Sequence, residues 1–174
     1  MHMDELLELE ERAGLPEFVL FWGGRQPKGC LSQWYPSTFT LDGVAYPTAE
    51  HYMMAEKARL FGDAATVDKI LANPDPGRAK ALGRRVRNFD EDAWVAARYD
   101  IVVRGSTAKF AADEKLRDYL FSTTGKVLVE ASPLDTIWGI GFDEHQPEAL
   151  RPSQWRGLNL LGFALMDARE ALRS

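Results

Sequence analysis

Between Thr48 and Phe61 the chain reads Thr-Ala-Glu-His-Tyr-Met-Met-Ala-Glu-Lys-Ala-Arg-Leu-Phe, with Thr48 placed to cap a helix that ends near Gly62. At about 100° per residue, positions seven apart fall within about 20° of each other. Glu50 and Lys57 therefore share one stripe with Met53, Met54 and Phe61, and the opposite side carries Tyr52, Glu56 and Arg59. That stripe is where an amphipathic helix meets its core. A carboxylate and an ammonium left unpaired there cost several kcal/mol. The fold must either pair the two charges internally or turn the stripe toward a pocket, where ionisable groups with shifted pKa values do chemistry. Seven residues span about 10 Å along the axis, so a small ligand can touch both ends.

The rest of the chain supplies a small core around this helix. Val19 to Trp22 reads as a short buried strand. Phe39–Leu41 and Val44–Tyr46 flank Asp42-Gly43, a hairpin signal because both turn residues tolerate positive φ. Helices are expected over 64–72, from Asp75-Pro76 to Gly83, from Asp90 toward Phe110, over 113–121 and over 159–172. Val127–Val129 reads as a buried strand, and Ile137–Phe142 as a Gly-interrupted one. The balance predicts a single helix-rich α+β domain with a few short strands over 18–174, preceded by a helical extension over 1–17 with Leu6, Leu7 and Leu9 inward.

With 174 residues, 45% of them hydrophobic, the chain can bury a core without staples. The single cysteine, Cys30, excludes an intramolecular disulfide and fits a reducing compartment. No apolar run is long enough for a membrane helix. The acidic N-terminus lacks the basic-then-apolar order of a secretion signal. A cytoplasmic location with no membrane contact is the expectation. The net charge of −5 argues against a chain that coats nucleic acid through its whole field. It leaves room for a local basic pocket, and Arg78, Lys80, Arg84, Arg85 and Arg87 fall within ten residues.

A second constellation is Glu130-Ala-Ser-Pro-Leu-Asp135-Thr-Ile-Trp138-Gly139-Ile-Gly141. Glycines at 139 and 141 permit close backbone approach to a ligand, and Trp138 offers a flat face for a base or sugar. A bulged strand with a core Trp explains the same residues. Trp94 shares a stripe with Arg98, Ile101 and Gly105, and either stacking or core packing suits it. The Arg84-Arg85 run suits either phosphate or a solvated face. His2, His51 and His145 show no metal-ligand spacing, and neither a P-loop nor a Gly-x-Ser-x-Gly elbow is present.

Taken together, Pro47-Thr48-Ala49-Glu50-His51-Tyr52, Lys57, Gly83-Arg84, Trp94, Asp135-x-x-Trp138-Gly139 and Gly157-x-Asn159-x-Leu161-Gly162-x-x-Leu165-Met166 resemble the NADAR superfamily in its YbiA-like branch. The resemblance runs from about Val19 to Arg169, with Phe21-Trp22 where the family has an aromatic pair and Gln33 at a family Asn position. It implies an N-glycosidase without cofactor or metal. Glu50, Lys57 and Asp135 are then the catalytic set, and Trp138, Trp94, Gly139, Phe21, Trp22, Arg84, Arg85 and Asn159 bind substrate. The implied substrate is a phosphorylated ribosyl-pyrimidine metabolite of the riboflavin-pathway type. Alternatives are an ADP-ribosyl group on guanine of nucleic acid, or a binding module for NAD or ADP-ribose without turnover. Retention of both carboxylates and the lysine favours the enzyme.

Departure of a base from ribose builds positive charge on the sugar, which a nearby carboxylate stabilises. Glu50 and Asp135 can divide electrostatic and acid–base work. Lys57 either attacks the sugar as a neutral amine or anchors a carboxylate as a cation. Burial should lower its pKa, and a nearby Glu50 charge should oppose that shift.

Overall fold

The structure, a computed structural model, describes residues 1–24 and 27–174. The chain divides into two compact units, Met1–Ser32 with Lys115–Ser174, and Gln33–Glu114. They are called the terminal and the central unit below.

The central unit opens with the hairpin. Strand β2 (Phe39–Leu41) pairs antiparallel with β3 (Val44–Tyr46), Phe39 opposite Tyr46 and Leu41 opposite Val44. Asp42 and Gly43 both take positive φ, 52° and 76°, as the two-residue turn requires. Four helices follow: α2 (Ala49–Leu60), α3 (Ala64–Leu71), α4 (Pro76–Gly83) and α5 (Glu91–Ala112). Three start on the predicted caps Thr48, Asp75 and Asp90, and α3 starts on Asp63, for which no cap was predicted. Thr48, Asp63, Asp75 and Asp90 accept backbone N–H groups from His51, Thr66, Gly77 and Ala93.

Helix α2 is the axis of this unit. Residues 49–55 are all buried, Tyr52 included, so the predicted polar side carrying Tyr52 is itself covered. The reason is that α3, α4, α5 and β3 all pack on α2. Two glycines allow that approach. A Cβ on Gly83 would overlap the Met54 sulfur, and one on Gly105 would overlap the Tyr52 ring. Tyr52 also meets Tyr46 edge-on at 5.2 Å, and burial pushes its phenol up to about 12.

In the terminal unit, strand β1 (Phe18–Phe21) runs parallel to β4 (Val127–Glu130), Phe18 opposite Val127 and Phe21 opposite Glu130. Parallel strands need a long crossover, and here the whole central unit lies within that connection. Val127, Leu128 and Val129 are buried on both faces, as their unbroken apolar run predicts. The closing helix, α7 (Leu160–Ala171), lies on β4 and buries Leu161, Phe163, Leu165 and Met166. Helix α1 (Met3–Glu11) buries Leu6, while Leu7 and Leu9 are only half-buried. Glu10 accepts hydrogen bonds from the Ser153 N–H and hydroxyl at 2.8 and 3.1 Å. Helix α6 (Glu114–Ser122) joins the central unit back to β4.

One element differs from expectation. Ile137–Phe142 is not a strand but an irregular loop. Asp135 Oδ1 accepts from the N–H groups of Ile137 and Trp138 at 2.9 and 2.8 Å, which turns the chain at once. The backbone then bonds to the segment entering α7: Leu158, Asn159 and Leu161 donate to the carbonyls of Thr136, Gly139 and Trp138.

Candidate active site

Glu50 lies in the first turn of α2, the positive end of the helix. Its N–H donates to the Gln33 carbonyl at 3.0 Å, and the residue is 3% exposed. Next to it His51 is fully buried, with Nδ1 2.8 Å from the Thr48 hydroxyl and Nε2 2.7 Å from the Asn73 carbonyl. A carbonyl only accepts, so Nε2 carries a proton and His51 fastens α2 to the chain beyond α3.

Two turns along α2, Lys57 is half-buried. Its Nζ sits 4.3 Å from the centroid of Phe89 and 5.3 Å from that of Trp94. Phe61 stacks edge-on against Phe89 at 5.3 Å. The ammonium makes no ion pair among the described residues, so the internal Glu50–Lys57 salt bridge is not what this fold builds. Burial holds the Lys57 ammonium below the usual lysine range. The opposing charge is Glu91, at the start of α5, and not Glu50 as the spacing suggested.

Phe89 was missed in the sequence, although a signal was there. It precedes the Asp90 cap, and Trp94 is the fourth helical residue. Those are the two positions that an apolar staple uses at a helix start. The rings on both of them receive Lys57.

The basic run places its residues differently. Arg84 and Arg85 are exposed. Arg85 lines an open groove of about 440 Å³ with Lys69, Arg78 and Arg87, and Arg84 is not among its lining residues. Arg87 is committed to the buried Asp63, which it meets through its N–H, Nε and Nη2 at 2.8–3.1 Å. Those bonds, with the Thr66 hydroxyl at 2.7 Å, hold the Asp63 carboxyl far below the usual range.

The remaining predicted site residues belong to the terminal unit. Asp135 is half-buried, and one carboxylate oxygen shapes its turn while the other has no partner among the described residues. Trp138, in the same turn, is half-buried, and Trp22 is 51% exposed. Phe21 is 1% exposed and packs in the core. Gly139 is buried, and what comes close to it is the chain itself: a Cβ there would meet the Glu130 and Asp135 carbonyls. Asn159 is fully buried in a left-handed turn at φ 51°. Its Oδ1 accepts from the Glu130 N–H at 2.9 Å and its Nδ2 donates to the Leu128 carbonyl at 3.0 Å. Phe21, Gly139 and Asn159 thus support the shape of the unit rather than present ligand-facing surface. Among the described residues no group of His, Cys, Asp and Glu could hold a metal ion, and no helix is long and apolar enough to cross a membrane.

The site thus holds a half-buried lysine between aromatic rings, on the helix that buries a glutamate. The NADAR domain model matches residues 20–173. The chain belongs to the NADAR family. It is 41% identical to an N-glycosidase of Acanthamoeba polyphaga mimivirus, covering 88% of this chain and 95% of that one. Identity to an N-glycosidase of Nostoc punctiforme is 33%, over 90% and 93% of the two chains. A riboflavin biosynthesis protein of Vibrio vulnificus is 30% identical over 89% of this chain, which corresponds to 38% of that longer protein. Among solved structures, the NMR structure of Escherichia coli YbiA superposes with a TM-score of 0.75 at 27% identity, covering 91% of this chain and 86% of that one. The NADAR fold assignment accords with the helix-rich α+β architecture described above.

Proposed function

We propose that this NADAR protein is an N-glycosidase that cleaves the bond between ribose C1′ and nitrogen in a phosphorylated ribosyl-pyrimidine metabolite. The observation that carries the reading is Lys57: a half-buried amine without an ion-pair partner among the described residues, its pKa lowered by burial, in a family whose relatives are named N-glycosidases. The riboflavin biosynthesis name of the Vibrio relative supports the substrate class, as does the net charge of −5, which disfavours a long polyanion.

In this mechanism neutral Lys57 forms a bond to C1′ as the C1′–N bond breaks. Glu50, buried on the same helix, supplies the carboxyl that passes a proton to the departing nitrogen and then, as a carboxylate, faces the positive charge on the sugar. Ring opening leaves a protonated imine between C1′ and Nζ. Water adds to that carbon, the C–Nζ bond breaks, and ribose phosphate leaves with Lys57 regenerated.

Borohydride added during turnover tests this directly. A reduced ribosyl adduct on Lys57, found by peptide mass spectrometry, is the expected result. Turnover without any adduct, retained in Lys57→Arg, would make water the attacking group. Release of ADP-ribose from modified guanine, with none of ribose phosphate from the metabolite, would replace the substrate class.

A further inference from the structure

Helix α5 turns one stripe inward: Trp94, Arg98, Val102, Gly105, Ser106, Lys109 and Phe110 are its buried residues. Gly105 takes the Tyr52 ring of α2, and Trp94 takes the ammonium of Lys57 on the same helix. Arg98 lies on the stripe between those two contacts, one helical turn from Trp94. It is 8% exposed. A guanidinium stays charged at any ordinary pH and has five N–H donors to satisfy.

The other strongly engaged arginines have visible partners. Arg87 holds Asp63, Arg104 holds Asp42 in a two-oxygen contact, and Arg59 pairs with Glu56 and donates to Tyr46. Arg169 donates to the Thr123 carbonyl and hydroxyl. Arg98 has neither an ion pair nor a hydrogen bond among the described residues. Burying a charge without a partner is strongly unfavourable. No Arg98 nitrogen is among the side-chain atoms that are fully shut off from solvent without a partner, so an anion from outside can reach the guanidinium and complete it.

We propose that Arg98 is the phosphate receptor of the substrate site, binding the ribose phosphate group of the compound whose C1′ meets Lys57. This rests on the N-glycosidase reading for the identity of the anion. Arg98 and Trp94 are four residues apart on α5, about 6 Å along the axis, and Trp94 marks the position of Lys57. That separation suits one sugar ring with its reactive carbon at one end and its phosphate at the other. The guanidinium fork matches two phosphate oxygens. The exposed Arg84 and Arg85, to which the sequence assigned this role, are solvated already and have no comparable need of an anion.

The test uses ligand binding, which does not require turnover. Thermal shift and calorimetric titrations would use ribose 5-phosphate, with ribose and inorganic phosphate as controls, on the wild type, Arg98→Met, Arg98→Lys and Arg85→Gln. Ribose 5-phosphate should bind Arg98→Met about 10- to 100-fold more weakly than the wild type. Arg98→Lys should fall in between, since an ammonium is a point charge without the fork. Ligand-free Arg98→Met should melt no lower than the wild type, because the change removes a charge that nothing in the protein pairs. Unchanged affinity in Arg98→Met overturns the proposal, as does loss confined to Arg85→Gln, which would move the anion to the α3–α4 groove. Markedly lower stability of both ligand-free Arg98 variants would make Arg98 structural and also overturn it. If ribose 5-phosphate binding depends on Arg98 while no glycosidase activity is found, the receptor stands and the N-glycosidase reading falls. If turnover proceeds with unchanged Michaelis constants in Arg98→Met, the reverse holds.

Discussion

Helices α2 and α7 are each 12 residues long, and each is deeply buried in its own unit, yet they bury different chemistry. Helix α7 presents Leu161, Phe163, Leu165 and Met166 to β4. Its buried polar neighbours are answered locally: Asn159 by the β4 backbone and Arg169 by Thr123. Helix α2 answers His51 locally as well, through Thr48 and the Asn73 carbonyl, but places Lys57 beside aromatic rings without a counter-ion among the described residues. Arg98, on the helix packed against α2, is in the same condition. The difference separates polar groups that the protein pairs within itself from two cations, Lys57 and Arg98, that it leaves without an ion pair among the described residues. Polar groups in a structural core are paired within the protein, whereas those of a site are left for the ligand to complete.

The sharpest way to break this contrast is to neutralise Glu50. Glu50→Gln keeps the shape of the side chain and should lower turnover by about 10²–10⁴ with the fold intact, as circular dichroism and steady-state kinetics would show. Near-normal turnover would put Glu50 in the same class as Arg169.

Asn159→Ala is the matching change on the other side. It leaves the Glu130 N–H and the Leu128 carbonyl without their partner, and should cost about 2–4 kcal/mol in denaturant unfolding. Asn159→Gly, which suits the left-handed backbone, should recover part of the loss. If either variant loses activity without losing stability, Asn159 touches substrate after all.

Asp63 provides a pH-dependent version. Its carboxyl is held far below the usual range by Arg87, so its contribution to stability is present above the unfolded pKa near 4 and disappears as pH falls through the folded value. Asp63→Asn should therefore be less stable than the wild type near neutrality, and the gap should close only in strong acid. A pH-independent gap would assign the effect to hydrogen bonds rather than charge.

The smallest effect should come from Glu91, whose charge raises the Lys57 pKa against the larger influence of burial. Glu91→Gln should move the pH at which borohydride trapping sets in downward, by less than about one unit. An upward shift would show that Glu91 does not act on Lys57 through charge.

The sequence by itself determined the local devices. Thr48, Asp63, Asp75 and Asp90 bond to N–H groups two or three residues away, and Asp42-Gly43 closes a turn between adjacent strands. Such interactions need nothing from distant parts of the chain, so their residues are legible in order. The combination of Glu50, Lys57 and Trp94 with the later motifs was likewise enough to mark the family that the domain match then showed. Tertiary structure decided what surrounds each side chain. Periodicity placed Tyr52 on the polar side of α2, but burial depends on how many partners reach a helix, and the first two turns of α2, residues 49–55, are covered on every side. The alternation of Ile137–Phe142 suggested a strand, but a strand needs a neighbour to pair with, and the Asp135 turn sends that backbone to the start of α7 instead. Trp94 and Arg98 share a stripe that is plain in the sequence. That one ring receives Lys57, and that the arginine beside it has no partner among the described residues, follows only from which helix packs against that stripe.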